Sequence, residues 1–187
     1  ISLQIPGEEF LVIIGSNGSG KTTLLNLIAG TYFPDKGNIL IDKKDITNKK
    51  DFERSKWVAR VFQDPMAGTA PELTILDNFR LASLRTKRKT FKSSVEINFK
   101  NKVKERLSLL HMGLENKTGT LVGKLSGGQR QALTLLMAVM DDANILLLDE
   151  PTAALDPKSA EIIMETADKV IRELQLTAIL VTHDMRY

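Results

Sequence analysis

The 187 residues contain no cysteine. That removes a disulfide framework and any thiolate metal site, and it is compatible with the reducing cytosol. Long apolar runs are missing too. Stretches such as 133–140 and 145–148 fall far short of the roughly 20 apolar residues a membrane-spanning helix needs. An excess of one sign of charge is missing as well: 26 basic against 23 acidic residues leave a net charge of +3, which by itself argues for no nucleic-acid partner. What remains is ordinary for a globular chain, 42% apolar and 26% charged. This length supports one domain with a real core, or one core with a small lobe.

The most informative stretch is Gly15-Ser16-Asn17-Gly18-Ser19-Gly20-Lys21-Thr22, followed by Thr23. It fits the template G-x-x-x-x-G-K-[ST], the P-loop. Before it, Phe10-Leu11-Val12-Ile13-Ile14 is a continuous apolar run, expected as a strand buried on both faces. After it, apolar residues recur at helical spacing until Gly30, a plausible stop. Glycines let such a loop wrap a phosphate with its N–H groups inward, and the helix N-terminus adds positive potential. Lys21 then reaches the β- and γ-phosphates, and the Thr22 hydroxyl can ligate Mg²⁺. A nucleoside triphosphate is the expected ligand.

Strand and helix patterns place the rest. Residues 1–5 alternate apolar and polar, the period of a half-buried strand. A start inside a sheet, and an end a few residues past His183, suggest a fragment. Further strands are expected at 38–41, 58–62, 145–148 and 177–182. Residues 65–71 are small and turn-forming, a hinge-like connector. Beyond them Val95, Phe99, Val103, Leu107 and Leu110 form one apolar stripe on a long helix. Asp156-Pro157 makes a helix start, Asp at the N-cap and Pro at the first position. Alternating strands and helices predict an α/β fold with a mostly parallel sheet, ligands binding at the strands' carboxyl ends. A local basic excess (Arg85, Lys87, Arg88, Lys89, Lys92, Lys100, Lys102, Lys104 and Arg106) faces only Glu96 and Glu105. A solvated helix face is the favoured reading, anionic lipid headgroups the sharper one.

A second constellation follows. The strand at 145–148 runs into Asp149-Glu150, carboxylates where a P-loop protein holds Mg²⁺. Asp149 is the metal-side residue, acting through water. Glu150 has no obvious lysine partner in sequence and is placed to orient attacking water. Leu125-Ser126-Gly127-Gly128-Gln129 precedes a helix, with Ser126 as cap and two glycines exposing N–H groups. Such a second anion site serves no evident purpose within one chain, though it suits a second copy. An ordinary serine-capped helix start has the same spacing.

Residues 15–22, Gln63, 125–129, 145–150, Asp156 and His183 occur in the order of the ABC-type ATPases, which the chain resembles over nearly its whole length. The resemblance implies a P-loop NTPase fold, a RecA-like core with an inserted α-helical subdomain, truncated at both ends. Within a single domain 1–187, the core is 1–65 and 136–187 and the helical subdomain about 66–135. It implies ATP and Mg²⁺ as ligands and a head-to-tail homodimer with two ATPs sandwiched. Ser16, Asn17, Gly18, Ser19, Gly20, Lys21, Thr22 and Thr23 would hold the nucleotide. Ser126, Gly127, Gly128 and Gln129 would face the partner's γ-phosphate. Thr22, Gln63 and Asp149 would serve the metal, Glu150, His183 and Gln63 catalysis, and Asp156 the dimer interface. His111 is assigned no role. The family's adenine-stacking aromatic lies upstream of the P-loop, in a segment this sequence does not contain.

Between Gln63 and Leu125 there are no heptads and no cysteines, which fits a compact helical lobe rather than coiled-coil or zinc-module relatives. The expected role is an ATP-hydrolysing subunit of a transporter. It would be peripheral on the cytoplasmic face of the membrane, with permease subunits and a solute-binding protein as partners and no nucleic acid. A soluble ABC-type ATPase acting on ribosomes or nucleic acid is the alternative. A scaffold without turnover would have replaced Glu150 or His183. The run 62–71 and the run 125–136 resemble a bacterial importer group linked to tryptophan, tyrosine or related small solutes.

Overall fold

Four strands, β1 (Phe10–Ile14), β4 (Val58–Val61), β5 (Ile145–Asp149) and β6 (Thr177–Thr182), pair in the order β1-β6-β5-β4. All three pairings are parallel, as the alternation of strands and helices predicts. The computed structural model describes residues 1–64, 66–84, 97–140, 143–153 and 155–183.

Side chains alternate across a strand, so an apolar run feeds two layers at once. Ala59, Val61, Leu146, Leu148, Ala178 and Leu180 join the larger core, with α3 (Ile75–Ser83), α4 (Ile97–Ser108), α5 (Gly127–Ala138) and α6 (Pro157–Glu173). Their neighbours Val58, Leu147, Ile179 and Val181 pack on the opposite side with Leu25 of α1 (Lys21–Ala29). That smaller core also takes Ile41 and Ile46, around a hairpin of β2 (Leu40–Ile41) and β3 (Lys44–Asp45). A short α2 (Asp51–Arg54) leads into β4.

Two expectations fail. β1 is not buried on both faces: it is an edge strand among the described residues, and Phe10 and Ile14 are 45% and 46% exposed. Residues 1–5 form no strand either. Ile1 and Leu3 are exposed, and only Ile5 packs, against the smaller core. Alternation supplies a sheet-facing pattern, but a strand exists only where a ladder partner takes its N–H and C=O groups.

The far end of α1 stops at Gly30, as expected, and its carbonyls are satisfied by a residue the pattern did not single out, Arg54. Gly30 adopts φ 85° and ends the helix, while Arg54, fully buried, donates to the carbonyls of Leu27, Ile28, Thr47 and Lys49. Burial lowers the Arg54 pKa from its ordinary value. A Cβ on Gly30 would lie 2.8 Å from Arg54 Nε, so glycine is needed there for contact as well as conformation.

The helical stripe is seen on α4 at Phe99, Val103 and Leu107, the last two buried, and Leu110 is buried in the turn just past its end; Val95 and the basic residues 85–92 lie outside the described residues. Lys100, Lys102 and Lys104 are exposed on α4, a solvated face. The connector after β4 is anchored rather than loose. Asn78 accepts from Ala70 N and donates to the Ala70 and Thr74 carbonyls, and Gly68 packs on Thr134 of α5.

Candidate active site

The carboxyl ends of all four parallel strands carry a predicted site residue, which is where this kind of sheet binds ligands. β1 leads into the loop 15–20, β4 into Gln63, β5 into Glu150 and β6 into His183. The loop needs left-handed backbone at Gly18 (φ 80°) and Gly20 (φ 91°). Gly20 is also the N-cap of α1, and no side chain caps it. By contrast α3, α5 and α6 are capped by Thr74, Ser126 and Asp156. The first-turn N–H groups of α1 are therefore left for a ligand.

Lys21 is 92% buried, its exposure being 8%. Its ammonium donates to the carbonyls of Gly15 (2.7 Å) and Ser16 (3.0 Å) and stands 3.9 Å from Glu150 Oε1. So Glu150 does have a lysine partner, contrary to the sequence reading, because the pair is 129 residues apart in the chain and meets only across the sheet edge. On its other side Glu150 Oε2 lies 3.1 Å from His183 Nδ1. The Glu150 backbone is left-handed at φ 45°, and its N–H donates to the Val181 carbonyl of β6. A bulky side chain held in that region marks strain that the surroundings enforce.

Asn17, Gly18, Gly20, Lys21, Thr22 and Thr23 line a cleft of about 370 Å³ with Gln63 and Glu150. A smaller cavity of about 160 Å³ adjoins it through Glu150 and is lined also by His183, Leu155 and Pro157. Asp149 is 95% buried beneath the cleft, and the Thr22 hydroxyl donates to its Oδ1 at 3.2 Å. Hydroxyl, carboxylate and amide oxygens are hard donors in small number, the set Mg²⁺ prefers when phosphates and water complete its shell. No cluster of three His, Asp or Glu occurs among the described residues, so a dedicated all-protein cage is not formed. The residues fit Mg²⁺ held jointly with a nucleotide.

Sequence reasoning missed Arg60. Its guanidinium donates 2.6 Å bonds to Asp149 Oδ2 and to Asn26 Oδ1 on α1. The signal was legible, since a charge inside the apolar run Val58-Ala59-Arg60-Val61 demands a buried partner.

Ser126, Gly127, Gly128, Gln129 and Asp156 do not line the P-loop cleft. They form their own group. Ser126 Oγ accepts from Gln129 N and Gln129 Oε1 accepts from Ser126 N, a reciprocal cap on α5. Asp156 accepts from the Ser159 N–H and hydroxyl, at 3.0 and 2.6 Å, as N-cap of α6. Those bonds, the hydroxyl's first, hold its carboxyl below the usual range. Gly128 is buried against Ser159, which brings the two helix starts together.

A model of the family described as ABC transporter matches residues 1–153. The chain belongs to the ABC transporter family. This ABC ATPase is 41% identical over 187 residues to a tyrosine transport ATP-binding protein of Clostridioides difficile, covering all of this chain and 74% of the relative. It is 36% identical over 182 residues to the thiamine import ATP-binding protein ThiQ of Haemophilus influenzae, covering 97% and 79%. A sulfate/thiosulfate import ATP-binding protein of Halalkalibacterium halodurans is 37% identical over 184 residues, covering 98% of this chain but only 49% of that relative. Among solved structures, a dimeric ATP-binding cassette in a post-hydrolysis state with ADP and Pi matches with a TM-score of 0.80 and 32% identity. That match covers 98% of this chain and 78% of the other. A Clostridium perfringens component of the transporter complex cbiONQ gives a TM-score of 0.82 at 28% identity, covering 98% and 70%.

The chain is thus an ATP-binding, ATP-hydrolysing domain of import-type transporters, with the expected α/β P-loop fold. Of these two solved relatives, one is a dimer and the other is part of an ABC transporter complex. Among the described residues no helix is long and apolar enough to cross a membrane. None of these relatives supports the ribosome-directed alternative.

Proposed function

We propose that this ABC ATPase hydrolyses MgATP in the Lys21–Glu150 cleft, as one of two head-to-tail copies on the cytoplasmic face of an import system. The observation that carries this reading is Glu150, fixed between the Lys21 ammonium and the His183 ring at the mouth of the phosphate loop. Lys21 and the open N–H groups of α1 neutralise the phosphates. Glu150 polarises the attacking water and takes its proton, while His183 holds the carboxylate by Oε2 and reaches toward the γ-phosphate. The Thr22 hydroxyl, Asp149 through water, and Gln63 would hold a Mg²⁺ ion, which would supply positive charge against the phosphates.

Ser126, Gly127, Gly128 and Gln129 serve the partner copy's nucleotide, and Asp156 lies at that interface. The core 1–65 and 136–187 moves against the helical subdomain 66–135, which transmits closure to the permease subunits. The likeness to the tyrosine relative favours a small solute of that class, delivered by a solute-binding protein and selected by other subunits.

The test is Glu150→Gln. Turnover should fall by on the order of a hundredfold while ATP binding persists. Light scattering should then show dimers with ATP and monomers with ADP. Normal turnover would remove Glu150 from the mechanism; a variant that binds ATP and stays monomeric would refute the sandwich.

A further inference from the structure

Arg60 is the one charged residue of β4, and it points to the α1 side of the sheet with Val58, opposite Ala59 and Val61. Its two terminal nitrogens divide between elements: Nη1 goes to Asn26 on α1 and Nη2 to Asp149 Oδ2 at the end of β5. The guanidinium carbon also sits 4.9 Å from the centre of the Phe62 ring, next to Gln63. Nε is buried with no hydrogen-bond partner. An arginine that leaves Nε unmatched is held by what its Nη atoms reach, since an orphaned buried donor costs free energy.

The carboxylate of Asp149 is thereby divided. Oδ2 belongs to Arg60, and Oδ1 accepts from the Thr22 hydroxyl on the nucleotide side. Both partners of the ion pair are largely buried, with side chains 12% and 7% exposed. In such surroundings a unit charge a few ångströms away is weakly screened.

We propose that Arg60 is a positioning residue of the nucleotide site. It aims Asp149 Oδ1 at Thr22 and cancels the charge of that carboxylate, so that the site takes a divalent cation only together with nucleotide phosphates. The proposal rests on the metal role given above to Asp149 and Thr22. It assigns to β4 a function distinct from carrying Gln63. In the absence of nucleotide, Asp149 offers no net negative charge to a cation. Once a triphosphate is bound, the phosphates supply the missing charge and Oδ1 is already oriented.

The test uses Mn²⁺, which shares oxygen ligands and charge with Mg²⁺, titrated into the full chain and followed by the paramagnetic signal of the free ion. Without nucleotide, the wild type should bind Mn²⁺ only at the level of Asp149→Asn. Arg60→Met should bind at least about tenfold tighter, because a unit charge is lost from a partly buried site. Arg60→Gln, neutral yet still able to donate to Asp149, carries the same expectation and serves if the methionine variant fails to fold. Arg60→Lys, which keeps the charge, should behave as wild type, and Arg60→Met with Asp149→Asn should lose the gain.

Unchanged Mn²⁺ binding in folded Arg60→Met or Arg60→Gln would overturn the proposal while leaving the metal reading intact, provided Asp149→Asn weakens Mn²⁺ binding in the presence of ATP. Were Asp149→Asn without effect on that ternary complex, both readings would fall. Arg60→Lys gaining the same Mn²⁺ affinity as Arg60→Met would also overturn it, since shape rather than charge would then be responsible.

Discussion

The start of α1 and the start of α5 are both glycine-rich, yet they are finished in opposite ways. α1 begins at Gly20 with no side chain over its N–H groups. α5 begins at Ser126, which with Gln129 closes a reciprocal cap, and its Gly128 is wedged against Ser159 beside the capped start of α6. An uncapped helix end is incomplete until an anion arrives, and Lys21 meanwhile folds over the loop's own carbonyls. A capped end is complete in itself. That contrast suits the proposed division of labour. The end that grips its own nucleotide can depend on it for order, whereas the end that meets a partner's nucleotide must stay in shape when the partner leaves.

The largest effect that breaks the comparison is expected at the open end. Lys21→Ala removes the buried ammonium of the loop proposed to hold phosphate, so ATP affinity should fall by on the order of a hundredfold or more in calorimetric titration. Unchanged affinity would mean that the α1 end is not the phosphate site. At the closed end the two glycines should separate. Gly128→Ala places a Cβ 2.9 Å from Ser159 Oγ, whereas at Gly127 the nearest atom is 3.9 Å away. Gly128→Ala should therefore cost about 1–3 kcal/mol in urea unfolding, and Gly127→Ala within about 0.5 kcal/mol. Equal costs would show that the contact with Ser159 does not constrain the α5 start.

The smallest effect is acid dependence at Asp156. Its folded carboxyl lies below the ordinary value of 3.8, through the Ser159 hydroxyl first and the Ser159 N–H second. A depressed carboxyl contributes stability that is fully present above the unfolded value and lost as pH falls through the folded one. The small stability gap between wild type and Asp156→Asn, present at neutral pH, should close below about pH 4. A gap that persists in acid would show that the charge contributes nothing to the cap.

Much of this arrangement is legible in the order of the residues alone. Short-range chemistry reads well: Gly30 as a helix stop, Ser126 and Asp156 as caps, and the apolar runs at 145–148 and 177–182 as strands all appear where the local rules put them. What stays hidden depends on which strand lies next to which. The runs 10–14 and 145–148 look alike as sequence, but β5 sits between β4 and β6 while, among the described residues, β1 pairs with β6 alone. Apolarity reports that a strand is wanted, not how many neighbours it has. The site divides similarly. Phosphate-loop residues are contiguous and announce themselves, whereas Lys21 meeting Glu150, and Arg60 meeting Asn26 and Asp149, are consequences of strand order.

The left-handed backbone of Glu150 has an evolutionary corollary. Glycine adopts that geometry without steric penalty, and asparagine with little. Glu150→Gly thus relieves backbone strain at the same stroke that it deletes the carboxylate between Lys21 and His183. Glutamate at this position is a choice the fold resists and the proposed catalytic role recommends. On that proposal, a descendant released from the need to hydrolyse ATP would be free to take the smaller residue, and residue 150 would report whether the motor is still in use.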